Sequence, residues 1–395
     1  MGNVRNNIIR TILCEALRST ALLCVTGPIM QTFLASLGFS SRFLYFNNTL
    51  VQAANILTIM LCSHWADRGS IIKRVAILEI PHGLLYLCYI PLCLWKSNSF
   101  ASFAAITGIC ALQTICVALY TVCEYKLPYY IYPPQNYGTV SAACGIASSL
   151  LSFLTGSLIT YLTNYLSYSQ LMLSACGIST VLMLLSAYIH SRQKIITEEG
   201  FPSTTASANN SISTRELFRH PNFYRMIPAN LCRGFAYGTT TVMAAITLDL
   251  GFDTGVSTAL VSVQSVAQFI GCAVFGAAVA RISPRKIALI GSIPFALIPF
   301  MLIPNKYLYL CIFALLMFGR TFVDYAVPSV LRLAVPVELA GPYNAWRMLL
   351  HFGGTLAAST VAAFIPVQVL LILSMVLQFV AGFSYFADRS LGERK

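Results

Sequence analysis

The chain has 395 residues, of which 57% are hydrophobic and only 10% are charged, against about 25% charge in an ordinary soluble domain. So little charge leaves too little polar surface to solvate a globule, which excludes a water-soluble enzyme or nucleic-acid-binding module and makes lipid the expected solvent. The net charge of +12 then calls for an account in terms of membrane topology.

A bilayer core of about 30 Å takes roughly 20 apolar residues as a helix. Such stretches follow one another at 10–35, 43–65, 71–94, 100–124, 137–162, 168–190, 223–248, 256–281, 284–304, 307–330, 340–365 and 367–387. The prediction is an all-α multi-pass membrane protein of twelve transmembrane helices; runs such as VLMLLSAYI lack the strict alternation of a membrane barrel. The opening MGNVRNNIIRTILCEALRST has no small-residue cleavage pattern and leads straight into the first span, so an uncleaved first helix is expected. With that end in the cytoplasm, Arg42, Lys96 and Lys306 are the only basic residues in outward loops. Arg5, Arg10, Arg68, Lys73, Arg74, Arg192, Lys194, Arg281, Arg285 and Lys286 all fall inside. This is the positive-inside bias; it predicts both termini cytoplasmic in the plasma (inner) membrane and removes the need for a nucleic-acid partner. The 13 cysteines lie in or at the ends of apolar spans without a CxxC pair, and are expected to pack as small apolar residues, with no metal or other cofactor.

Between spans six and seven the pattern breaks at 191–222, SRQKIITEEGFPSTTASANNSISTRELFRHPN, whose Ser/Thr/Asn-rich middle reads as a flexible linker. Near its end Ser213 and Glu216 fit a capping box, predicting a short surface helix. The stretches on either side repeat each other. Arg18 in CEALRSTAL corresponds to Arg233 in ANLCRGFAY, SLGFSSRF (36–43) to DLGFDTGV (249–256), and WADRGSIIKR to VARISPRK, all at offsets near 213. The predicted organisation is a six-helix bundle over 1–190, a cytoplasmic linker over 191–222 and a second six-helix bundle over 223–395, related by an axis along the membrane normal.

The loop after span two carries Ala66-Asp67-Arg68-Gly69 and then Ile71-Ile72-Lys73-Arg74, which resembles the first signature of the major facilitator superfamily. The opening glycine of that signature is replaced by Cys62 or Ser63, and the second-half copy keeps Gly276, Arg281, Arg285 and Lys286 without the Asp. The resemblance covers essentially the whole chain. It implies that helices one, four, seven and ten line a central cavity, that two, five, eight and eleven form the seam between halves, and that Asp67 with Arg68, Lys73 and Arg74 acts as a gating loop, Asp67 latching onto a helix N-terminus of the other half. Helix five lacks the Gly-Pro-x-x-Gly-Gly run of proton-driven drug antiporters, and no Pro-Glu-Ser-Pro-Arg run of sugar porters follows helix six.

Ionisable residues within spans cost at least about 2.5–3.5 kcal/mol on insertion scales, so they face the bundle interior and carry partners or function. Here they are Glu15, Arg18, Glu79, Glu124, Lys126, Arg233, Arg320, Asp324 and Arg347. Two readings stay open. In one, Arg18, Arg233, Arg320 and Arg347 form a basic ring that binds a carboxylate or phosphate, while Glu15, Glu124 or Asp324 carries a coupling proton. In the other, Glu15 with Arg18 and Arg320 with Asp324 are self-neutralised pairs at helical spacing. Arg347 has no acid within four positions and is the leading substrate contact; His351, one turn on, either joins it or packs. Glu79 and His82 form a further i,i+3 pair on a helix expected to be peripheral, where a local hydrogen bond is the plain expectation. Tyr125, Tyr129, Tyr130 and Tyr132 are expected in an interfacial belt. Glycines 145, 271, 276, 353 and 354 are expected to permit close approach and sliding.

The function expected is secondary active transport of a small solute, an organic anion or polar metabolite, by alternating access and coupled to protons, in a monomer surrounded by membrane lipid. Efflux of drugs or amphiphiles is the alternative in the same class, and a non-transporting receptor or a lipid flippase the alternative in another. No P-loop, HExxH or GxSxG motif is present to support enzyme chemistry.

Overall fold

The architecture is that of a computed structural model, which describes residues 2–25, 27–62, 70–196, 221–278, 281–334 and 337–387. All regular structure among them is helical. The first half contains α1 (Gly2–Val25), α2 (Gly27–Ser36), α3 (Ser41–Cys62), α4 (Ile71–Leu85), α5 (Ile90–Trp95), α6 (Phe100–Lys126), α7 (Pro128–Ile131), α8 (Tyr137–Leu162) and α9 (Tyr168–Ser191). The second contains α10 (Pro221–Thr241), α11 (Met243–Asp249), α12 (Thr254–Ala278), α13 (Pro284–Ser292), α14 (Lys306–Ala334), α15 (Val337–Ala362) and α16 (Val367–Ala387). Joined where they run on, these helices fall on the twelve expected spans. Among the described residues, eight segments are long and apolar enough to cross a membrane by length and composition alone. The four that fall short are α1 with α2, α3, α10 with α11, and α15.

Local sequence explains where the helices start, bend and stop. Ser167 accepts the Gln170 amide while the Gln170 side chain returns to the Ser167 amide at 2.9 Å, a capping box that opens α9. Pro81 lies inside α4, which tightens into a 3-10 turn over Tyr86–Tyr89 before α5 begins with Pro91 in its first turn. Pro294 and Pro299, which each remove an i to i−4 hydrogen bond, lie in the 3-10 stretch Ile293–Leu302 that continues α13.

The repeat read from sequence is present in the backbone. Gly38 (φ 91°) and Gly251 (φ 82°) both adopt the left-handed conformation. Each closes the same turn: Phe39 N donates to Leu34 O at 3.2 Å and Gly38 N to Ala35 O at 2.9 Å, and Phe252 N donates to Thr247 O at 3.1 Å and Gly251 N to Leu248 O at 2.9 Å. These are Schellman stops, and they account for the shared Leu-Gly-Phe of the two copies. Packing repeats as well. In the first half α1 packs on α8 and α9, α3 on α6, and α4 on α6 and α9; in the second α10 packs on α15 and α16, α12 on α14, and α13 on α14 and α16.

The two halves meet mainly through α8 against α12 and α3 against α15, which are the seam helices that the resemblance implied. Other faces are apolar and exposed: Leu150, Leu154 and Leu158 on α8 and Ile372, Val376, Val380 and Phe383 on α16 form stripes of the kind expected on a membrane-embedded surface. On the face of the bundle opposite the start of α1, the far face, polar bonds tie the halves together. Tyr45 Oη donates to Asp249 Oδ2 at 2.6 Å, Gln31 Nε2 to Thr241 O at 2.7 Å, and Ala245 N to Gln31 Oε1 at 3.1 Å; Asn48 Nδ2 donates to Ser359 Oγ.

Some expectations change. The tyrosines 125, 129, 130 and 132 are not an exposed belt but are buried at 2–8% exposure, because α7 turns their segment back against α4, α8 and α15 in one apolar cluster. The closest glycine contacts lie within the second half and not along the seam alone. A Cβ at Gly234 would stand 2.0 Å from His351 O, and one at Gly354 2.2 Å from Leu231 O, so α10 and α15 touch backbone to backbone. On the seam, a Cβ at Gly156 would lie 2.8 Å from Val261 Cγ1 and one at Gly276 3.5 Å from Ala142. The capping box at Ser213 and Glu216, with the linker around it, lies outside the described residues.

Candidate substrate and ion site

The second half gathers its buried charge onto one carboxylate. Arg320 and Asp324 share a face of α14 at i,i+4 spacing, and Arg320 Nε donates to Asp324 Oδ2 at 3.1 Å. From α10, Arg233 Nη2 donates to Asp324 Oδ1. Two guanidiniums on one carboxylate leave a surplus positive charge in an interior that screens it poorly. Arg320 is further held by Thr240 Oγ1 at 2.7 Å and stacks on the Tyr237 ring with its guanidinium carbon 3.7 Å from the centroid, a desolvated cation–π contact. Arg233 is 7% exposed, and its Nε and Nη1 make no hydrogen bond of good geometry, although Tyr385 of α16 interacts with its guanidinium. Arg233 borders a small cavity that Tyr237, Phe295, Arg320, Asp324 and Gln378 also line. Poorly satisfied buried donors on a cation are costly, and a ligand with acceptor oxygens in reach would satisfy them.

Arg347 stands apart from this group. Both Nε and Nη2 donate to Asn344 Oδ1, at 3.2 and 2.8 Å, and its guanidinium lies 5.8 Å from the Tyr125 ring of α6. It makes no ion pair among the described residues, in line with the lack of a nearby acid in sequence. His351 turns its ring to Tyr237 at 4.8 Å, and its Nδ1 has no partner.

In the first half, Arg18 stacks on Tyr120 of α6 at 3.8 Å and faces Glu15 at 3.6 Å; Ser19 Oγ donates to Glu15 Oε1 at 3.2 Å. The four arginines are thus distributed. Two converge on Asp324, Arg18 is paired within its own helix, and Arg347 is held by an amide. Glu124 is half-buried at the end of α6, within electrostatic reach of Arg18. In the gating loop Lys73 is exposed and Arg74 half-buried, while Asp67 and Arg68 lie outside the described residues.

Glu79 does not pair with His82, three residues on. Its Oε2 meets Nδ1 of His190 on α9 at 2.9 Å and its Oε1 accepts from Ser186 at 2.8 Å, while His82 Nε2 bonds Tyr86 Oη at 3.1 Å. The cause is packing: α4 lies against α9, and the Glu79 side chain points into that interface. His190 stands at the end of span six beside basic residues, and only its i−4 spacing from Ser186 on an otherwise apolar helix could have marked it.

Solved structures share this fold across nearly the full length. A bacterial homologue of the iron transporter ferroportin, in an outward-facing state, aligns with a TM-score of 0.70 at 11% identity, covering 98% of both chains. A D-xylose-proton symporter aligns with a TM-score of 0.70 at 13% identity over 100% of both. The nucleoside transporter NupG aligns with a TM-score of 0.67 at 13% identity over 96% of this chain and 99% of its own. No curated protein matches the sequence. The sequence pattern of the Major Facilitator Superfamily matches residues 16–359, and with the helical repeat, the seam and the buried interior charges this makes the chain an integral membrane transporter that belongs to the major facilitator superfamily.

Proposed function

We propose that this transporter carries a small organic anion, a carboxylate or phosphate ester, in symport with protons across the plasma membrane. Its halves, 1–190 and 223–395 joined by the linker 191–222, rock about the central site as two bodies, with both termini in the cytoplasm. The observation that carries the reading is the surplus cation of the second half: Arg233 and Arg320 share the single carboxylate of Asp324 beside a cavity that all three line. An anion would complement that surplus by charge and by hydrogen bonding. Arg18 and Arg347 complete the arginine set from the first-half and seam sides. Glu15, Glu124 and Asp324 remain the acids proposed to exchange protons with the cavity, and Asp67, Arg68, Lys73 and Arg74 the cytoplasmic gate.

The test is a thermal-shift screen of the purified protein against carboxylates, phosphate esters, pentoses, nucleosides and cationic amphiphiles. Only ligands that favour the folded state raise the midpoint, by about 2.7 kcal/mol at a hundredfold excess over Kd. A shift by an anion that disappears in both Arg233→Lys and Arg347→Ala supports the reading. Stabilisation by pentoses or nucleosides alone would overturn the anion assignment, and stabilisation only by cationic amphiphiles would put drug efflux first.

A further inference from the structure

One buried titratable pair has no part in the function proposed above. Glu79 on α4 and His190 on α9 are 1% and 2% exposed and meet through Oε2 and Nδ1 at 2.9 Å. Ser186 completes the carboxylate's shell at 2.8 Å and itself reaches Cys14 O of α1 at 3.4 Å. Around the pair stand Cys14, Glu15 and Arg18 of α1, His82 of α4, Tyr86 of the 3-10 turn that follows it, and Tyr120 and Glu124 of α6. The Tyr120 ring lies between two of these groups, 6.0 Å from the His190 ring and 3.8 Å from the Arg18 guanidinium carbon. Pro81 and the 3-10 turn at Tyr86–Tyr89 interrupt α4 just beyond Glu79, and such interruptions within a helix mark places where it can bend.

We propose that Glu79 and His190 together form the proton-binding site of the first half, taking up and releasing one proton in each transport cycle under the control of Arg18. This rests on the reading of the chain as a proton-coupled carrier, and adds a site to the acids named for that role. Unloaded, a carboxylate faces a neutral imidazole and the pair carries one negative charge. Loading takes one proton from water, which is shared across the Oε2–Nδ1 bond and brings the pair to zero; release returns it to water and restores the carboxylate. A buried site of low dielectric favours whichever state leaves the cluster neutral. While Arg18 is held by Glu15, Glu79 needs the proton. When Arg18 leaves Glu15 and turns toward Glu79, its charge replaces the proton, which departs. Arg18 sits on a helix expected to line the cavity, so a movement of that helix is converted into release.

The experiment follows the proton itself and needs no identified substrate. Infrared difference spectra of the full-length protein in detergent, recorded from about pH 5 to about pH 10, read the carboxyl and imidazole bands together. The expected result is a one-proton step in the wild type that is lost, or moved by about one pH unit or more, in both Glu79→Gln and His190→Gln. A fixed structural ion pair stays charged over that range, so no step in the wild type, or a step unchanged in both variants, overturns the proposal. If Glu79→Gln fails to elute as one folded species, His190→Gln decides alone by the same criterion. Absence of ligand stabilisation with the step intact would count against the transport reading and not against the proton site.

Discussion

The two halves share a backbone plan and differ in the chemistry of their interiors. Both end their first span in the same Schellman turn and pair their helices in the same order. Yet the first half places Glu15, Glu79 and Glu124 among its spans with Arg18 and Lys126, whereas the second places Arg233, Arg320 and Arg347 with Asp324 as the one acid away from the span ends. A duplicated scaffold thus fixes where helices lie, and a few substitutions at inward positions decide what each half can bind. The proposed roles draw on this contrast, protons favouring the acid-rich interior and an anion the base-rich one.

The largest expected effect comes from removing the acid that holds the second half together. Asp324→Ala leaves Arg233 and Arg320 buried without a counter-charge, a loss of about 3–5 kcal/mol, seen as a collapse of the thermal midpoint or loss of the monodisperse peak on size exclusion. Glu15→Ala, the corresponding change in the first half, removes a carboxylate that is 32% exposed and 3.6 Å from Arg18, and should cost no more than about 1 kcal/mol. Equal losses would erase the contrast between the halves.

Next is Gly234→Ala. The new Cβ meets the His351 carbonyl at 2.0 Å, a backbone atom that cannot rotate away, so α10 and α15 must separate; overpacking of this kind costs about 1–3 kcal/mol. A midpoint equal to wild type would show that the second half is looser than its glycines indicate. A similar but smaller effect is expected at the far face with Tyr45→Phe, which removes a 2.6 Å bond to Asp249. Hydrogen bonds to charged groups are worth about 1.5–3 kcal/mol, part of which water recovers at this rim. Amide exchange over Met243–Asp249 should quicken several-fold while that of α9 stays unchanged; uniform exchange in both would mean that this bond does not hold the halves together.

The fold was largely legible in the sequence because lipid imposes a simple rule: apolar stretches of spanning length, basic loops on one side, and a repeat at constant offset. Arg320 with Asp324 was legible for the same reason, since helical spacing alone puts them on one face. What spacing could not supply were contacts between helices. Glu79 has His82 at the right interval, and chose His190 because α4 packs on α9. Arg233 meets Asp324 across α10 and α14, a pairing that no interval along the chain encodes. The tyrosines after α6 looked interfacial by type, and were buried by a four-residue helix, α7, too short to announce itself.

The smallest effect concerns the seam, where the near and far faces differ. At the far end a Cβ on Gly156 would meet Val261 Cγ1 at 2.8 Å, while toward the start of α1 a Cβ on Gly276 would meet only Ala142 at 3.5 Å, an ordinary contact. Gly156→Ala should therefore lower the thermal midpoint, because α8 and α12 must part there. Gly276→Ala has room for its methyl, and alanine favours a helix over glycine by about 0.8–1.0 kcal/mol, so its midpoint should hold or rise slightly. A seam that is tight at the far face and spacious at the near one is suited to opening toward the near face first. A reversed order of the two variants would place the looser end of the seam on the other side of the membrane.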